Sequence, residues 1–121
     1  LNIEEQIINS GIELSDVTVI RPGRAELSVN FNNESLNFIR ACSIRICDEI
    51  SPNGTCNQEI FYRDPLPDRP GITEPLIPSA VEDVSDLILQ DDIFVQLFLE
   101  ELWENPPANL VLRVDMQFEV R

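Results

Sequence analysis

From Leu110 to Arg121 the chain alternates almost without fault. Leu110, Leu112, Val114, Met116, Phe118 and Val120 hold one parity, Arg113, Asp115, Gln117, Glu119 and Arg121 the other, and only Val111 breaks the rule. A period of two sets these side chains on opposite faces of a strand, whereas a helix would scatter them around its axis. A strand with one dry and one wet face belongs to an antiparallel sheet covered on one side. The rest of the chain must therefore supply more strands and something to cover them.

Five further stretches read as strands. Ile12 to Ile20 ends in the branched run Val17, Thr18, Val19 and Ile20, and Arg21-Pro22-Gly23-Arg24 then reads as a turn. Ala25 to Phe31 alternates cleanly. Leu36 to Cys47 places Leu36, Phe38, Cys42, Ile44 and Ile46 on one face, with Arg40 as the exception, read as a snorkelling or paired arginine near a sheet edge. The turn Ser51-Pro52-Asn53-Gly54 then joins it to Asn57 to Arg63 as a hairpin. Ile93 to Trp103 is apolar on both parities and suits a buried helix or a buried strand; Ile93, Val95, Leu97 and Leu99 on one parity favour the strand. The loop Asn105 to Asn109 leads into the last strand.

Two segments read as helical. Asn2 to Asn9 has a polar start, Glu4 and Glu5 in its first turn and Gly11 after its end, so residues 1–11 form a short helix or an N-terminal arm with Ile3, Ile7 and Ile8 as its apolar side. Ser79 and Glu82 have the spacing of a capping box, which predicts a helix over Ala80 to Leu89. Residues 64–78 carry Pro65, Pro67, Pro70, Pro75 and Pro78, a density that predicts an extended surface loop. With 121 residues there is room for one core, so the expectation is a single domain over 1–121. Its fold class is all-β, an antiparallel β-sandwich or jelly-roll-like arrangement of about six strands with one or two short helices. The rival is an α+β fold in which a helix from Ala80 to Trp103 lies on a four-stranded sheet.

Charge limits the partners. The formal net charge is -14, and all eight basic residues are arginines, because the chain has neither lysine nor histidine. Such a field opposes phosphate backbones and anionic membrane surfaces, so nucleic acid is excluded as an expected partner. No apolar run reaches the roughly 18 residues a membrane span needs, so no membrane insertion is expected. The chain opens at Leu1 without an initiator Met, which points to removal of a preceding segment. Asn33-Glu34-Ser35 and Asn53-Gly54-Thr55 are glycosylation acceptors if the chain passes through a eukaryotic secretory route.

Three cysteines give an odd count. Cys42 and Cys47 face opposite ways on one strand. Cys47 and Cys56 flank the Pro52-Asn53-Gly54 turn, and a bridge there closes a loop of about ten residues, worth roughly 2.7 kcal/mol by chain entropy. The simplest symmetric turn sets Cys47 opposite Gln58 instead, so the spacing leaves that bridge open. Cys42 reads as a buried free thiol or, alternatively, as a link between chains. Without histidine or a CxxC pair no standard zinc site exists.

Missing side chains also restrict catalysis. Histidine bases and lysine Schiff bases are ruled out, and there is no GxSxG, P-loop or GxGxxG pattern. What remains for catalysis is carboxylate pairs, a cysteine without a histidine partner and Tyr62, with a small carboxylate-based hydrolase as the enzymatic alternative. No cofactor is expected. Calcium is the one ion that suits the acidic clusters, with Asp83, Asp86, Asp91 and Asp92 as its candidate ligands and Asp48, Glu49, Asp64 and Asp68 nearby in the reading. Two function classes follow. The first is a non-catalytic structural or adhesive module, secreted or displayed at a cell surface, that pairs edge strands or its arm with a second copy or a neighbouring subunit. The second is an acidic binding module that takes calcium or a cationic protein partner.

Overall fold

The computed structural model describes residues 2–30, 35–49, 52, 54, 56–90 and 92–121. It is all-β and antiparallel, with six strands and two short helices. The strands are β1 (Ile20–Asn30), β2 (Ile39–Cys47), β3 (Gln58–Arg63), β4 (Thr73–Pro78), β5 (Phe94–Leu102) and β6 (Val111–Val120). Helix α1 is Ile3–Asn9 and α2 is Ser85–Ile88. The strands form one curled sheet in the order β5-β2-β3-β4-β1-β6, rather than two separate sheets.

Period-two patterning explains most of these elements. Along β6 the even positions from Leu112 to Val120 are half-buried against the core, while the odd positions are exposed. β1 and β6 pair over ten rungs, from Ile20 opposite Val120 to Asn30 opposite Val111. On the other half of the sheet, β2 pairs with β3 and β5 and contributes Cys42, Ile44 and Ile46 to the core. The curl brings the halves together: the rings of Phe61 on β3 and Phe118 on β6 meet edge to face, with centroids 6.1 Å apart.

Four expectations change. Residues 64–78 are not loop throughout, because Thr73–Pro78 is an interior strand. It tolerates its prolines because the β3–β4 ladder has only two rungs, Phe61 with Pro78 and Tyr62 with Ile77, so few backbone donors are needed there. Farther along, Arg63 Nη1 donates to the Pro75 carbonyl at 2.8 Å. The expected turn Arg21-Pro22-Gly23-Arg24 is instead a bulge inside β1, between the pairs Pro22–Phe118 and Arg24–Gln117. A Cβ on Gly23 would stand 3.1 Å from the Gln117 carbonyl oxygen, so the close strand approach calls for glycine there.

Ile12 to Val19 is not a strand but a 3-10 turn, Leu14–Asp16, with an extended exit whose Thr18 and Val19 amides donate to the Arg121 carbonyl. The helix expected over Ala80 to Leu89 shrinks to Ser85–Ile88, since Ser79 does not cap it. The Ser79 hydroxyl donates to Glu59, its amide donates to the Ile60 carbonyl, and Asp83 instead accepts from the amides of Ser85 and Ile20.

Of the two readings of residues 1–11, a short helix or an N-terminal arm, the structure has the helix, Ile3–Asn9, docked on the core. The Asn2 side chain caps α1 by accepting from the Glu5 amide. At the other end Ile12 donates to the Ile7 carbonyl and Gly11 to that of Ile8, with Gly11 at φ +87°. Ile3 and Ile7 are buried in the chain's own core, which leaves only Ile8 of the three exposed.

Candidate functional site

An open sheet has two edges, and here they are β5 and β6. Among the described residues each pairs on one side only, β5 with β2 and β6 with β1. Unpaired edge amides and carbonyls are a template for another strand unless charge or cover blunts them.

β5 is held from behind by β2, from Cys47 opposite Phe94 to Ile39 opposite Leu102. Leu97 and Leu99 pack on the core, as their parity predicts. The other parity gives the strand its ambiguous look in sequence. Phe98 lies under the Arg45 guanidinium at 4.8 Å, and Arg45 also pairs with Glu100 at 3.3 Å. Phe94 and Leu102 are exposed, and so, contrary to the expected core face, is Val95, which shares the parity of Leu97 and Leu99. Trp103, just past the strand, is 69% exposed. Its backbone is fixed all the same, because the Trp103 amide donates to the Phe38 carbonyl at 2.8 Å. Arg40 sits over the indole at 5.7 Å and is itself paired with Glu101 and Asp64, so the expectation of a paired arginine holds.

The far end of β5 is anchored by the disulfide. Cys47 and Cys56 are bonded, with Cα atoms 5.1 Å apart. A bulge between Ile44 and Arg45 moves the register part of the way: Ile44 faces Phe61, but Arg45 faces Glu59 and Ile46 faces Gln58, which carries Cys47 from opposite Gln58 to opposite Asn57, one residue from Cys56. Gln96 clamps the same corner, accepting from the Cys56 amide at 3.0 Å and donating to the Gly54 carbonyl at 2.8 Å. Cys42 is a buried free thiol. Burial, and secondarily the charge of Glu100, push its pKa up to about 11 against the opposing pull of Arg63, so it is a poor nucleophile at neutral pH.

The candidate calcium ligands are dispersed. Asp83 accepts from Ile20 and Ser85, while Asp92 lines a shallow depression with Asp48 and Glu49. Asp86 sits in the first turn of α2, and Asp91 lies outside the described residues. No group of three or more metal-binding side chains converges among the described residues. Asn33 and Glu34 of the first sequon, and Asn53 and Thr55 of the second, also lie outside them. A groove of about 380 Å³ between α1 and β6 is lined by Ile3, Ile7, Met116 and Phe118, among others, and by no ionisable side chain. No helix among the described residues is long and apolar enough to cross a membrane.

β6 presents a different edge. Its exposed side carries Arg113 and Asp115, paired at 3.1 Å, and Glu119, which Arg21 holds at 2.6 Å. The features that sequence reasoning missed are Phe94, Leu102 and Trp103 as an exposed apolar edge. The signal was present in Ile93 to Trp103, whose apolar residues exceed what one buried face can use. No protein-family model, curated protein or solved structure matches the chain.

Proposed function

We propose that this chain is a non-catalytic structural or adhesive module, secreted or displayed at a surface, that holds another protein by adding a strand to its β5 edge. One observation carries the reading: β5 is an unpaired edge on which Phe94, Val95, Leu102 and Trp103 are exposed. Backbone pairing supplies affinity in such contacts, and side chains at alternate positions supply selectivity. The Cys47–Cys56 bridge suits an oxidising compartment.

A fluorescence titration tests this. Trp103 is the only tryptophan and sits at the edge, so its emission reports directly on an arriving strand. A neutral nine-residue peptide alternating valine and glutamine should bind saturably, shift that emission and slow hydrogen exchange at Phe94–Leu102. No shift and no protection up to millimolar peptide would defeat the reading. So would turnover of ester, glycoside or phosphate substrates that is lost on changing a surface carboxylate.

A further inference from the structure

The β5 edge is acidic at both ends as well as apolar. At its start, Asp92 lines one depression with Asp48 and Glu49, which follow Cys47 at the end of β2, and Cys47 pairs with Phe94. At its finish stand Glu100, Glu101 and Glu104, around Leu102 and Trp103. Glu100 and Glu101 are already matched by Arg45 and Arg40. Asp48, Glu49, Asp92 and Glu104 have no arginine within ion-pair distance, although all eight arginines are among the described residues. The edge therefore offers apolar contact and unmatched negative charge at the same two places.

We infer that the occupant of β5 is an extended cationic segment of another protein, about nine residues long, with apolar side chains and an arginine or lysine near each end. This rests on the edge reading above and adds the partner's chemistry to it. The length follows from the strand, which at roughly 3.3 Å per residue spans about 30 Å from Phe94 to Leu102. Charge complementarity selects the ends, and it also steers a cationic segment in from a distance toward a chain of net charge -14. The same charge argues against a second copy. Antiparallel pairing of two β5 strands centred on Phe98 would set Asp92 opposite Glu104 at both ends, like charges in direct opposition. Trp103 already holds one guanidinium, that of Arg40, so its ring is chemically suited to a second on its exposed face.

The test compares three labelled peptides of one apolar pattern whose end residues are arginine, glutamine or glutamate, by anisotropy against the intact oxidised chain. The arginine peptide should bind about tenfold tighter than the glutamine peptide, the glutamate peptide weaker than both, and the preference should shrink as salt rises from 0.05 to 0.5 M. Asp92→Asn with Glu104→Gln should remove most of that preference and leave glutamine-peptide binding intact, which also reports that the variant is folded. Equal affinity for the arginine and glutamine peptides, or a salt-independent preference, overturns the cationic partner while the edge reading stands. A dimer in sedimentation that protects β5 and excludes all three peptides overturns it in favour of a second copy. If none of the peptides binds and no dimer forms, the edge reading falls with it.

Discussion

The two edges of the sheet are treated in opposite ways. β6 is long, pairs with β1 over ten rungs, and faces outward with charges that are matched at short range, Arg113 with Asp115 and Arg21 with Glu119. Such an edge discourages another strand. β5 has its charges concentrated at the ends and leaves Phe94, Val95, Leu102 and Trp103 in solvent. Both strands have core-facing residues on one parity, so burial alone does not distinguish them. What distinguishes them is the side chains beyond those the core requires: on β6 they are mostly charged and paired, with Val111 the exposed apolar exception, and on β5 and just past it four apolar side chains are exposed.

Truncating aromatics on the two edges should therefore have unequal effects. Phe118→Ala removes a ring packed on Phe61 and should cost about 3 kcal/mol in denaturant unfolding, whereas Trp103→Ala should cost less than about 1 kcal/mol because the indole is mostly in solvent. Similar costs would erase the distinction. Next in size is the disulfide. Replacing Cys47 and Cys56 by serine should lower stability by about 2.7 kcal/mol on loop entropy, and hydrogen exchange should rise at Phe94–Gln96 more than anywhere in β6. Uniform loosening would show that the bridge does not specifically anchor β5.

Acid should act on the other side of the molecule. A hydrogen bond from Arg21, and then its charge, hold the Glu119 carboxyl below the ordinary glutamate range. The amides of Ile20 and Ser85, with the Ser85 hydroxyl, do the same for Asp83. A depressed folded-state pKa gives stability that is present above the unfolded value and lost as pH falls through the folded one. Denaturant midpoints should therefore fall below about pH 4, and Glu119→Gln with Asp83→Asn should flatten that fall. The smallest effect is alkaline. Cys42 titrates near 11 when folded, above its ordinary value of 9.0, so its contribution is complete below that value and is lost as pH rises from there to about 11. Alkylation without reductant should label no thiol in the native chain and one, Cys42, in denaturant; two or more would mean that the bridge is absent.

Much of the fold was legible in sequence. The core-facing residues of β6, and Leu97 and Leu99 of β5, are those that local alternation selects, because each strand's pleat alone decides which side chains share a face. In β2 and β3 both parities are buried, Ile39, Ala41 and Ser43 beside Cys42 and Ile44, and Ile60 beside Phe61, so alternation does not single out their core. β4 escaped for a local reason as well: Pro75 and Pro78 disqualify it until β1 is seen to supply its main ladder, Ala25 with Leu76 through Ser28 with Thr73. Pro22 and Gly23 look like a turn because the bulge that absorbs them is visible only in the register with β6. The short α2 shows competition, as the Asp83 and Val84 contacts to Ile20 hold the chain against β1 where the capping pattern would have let it coil.

The same division applies to the candidate site. Residue order alone determined an acidic, histidine-free and lysine-free β domain with a cysteine on either side of a turn. It also carried the surplus of apolar residues between Ile93 and Trp103. Tertiary structure decided that β5 is an edge, that Trp103 and the carboxylates around it lie along that edge, and that Ile3 and Ile7 cover the core instead of reaching outward. The reason is physical. Which face of a strand is dry depends on neighbours two residues away, but whether a strand has one partner or two depends on hydrogen bonds to segments tens of residues distant. Only the packed sheet sets those bonds.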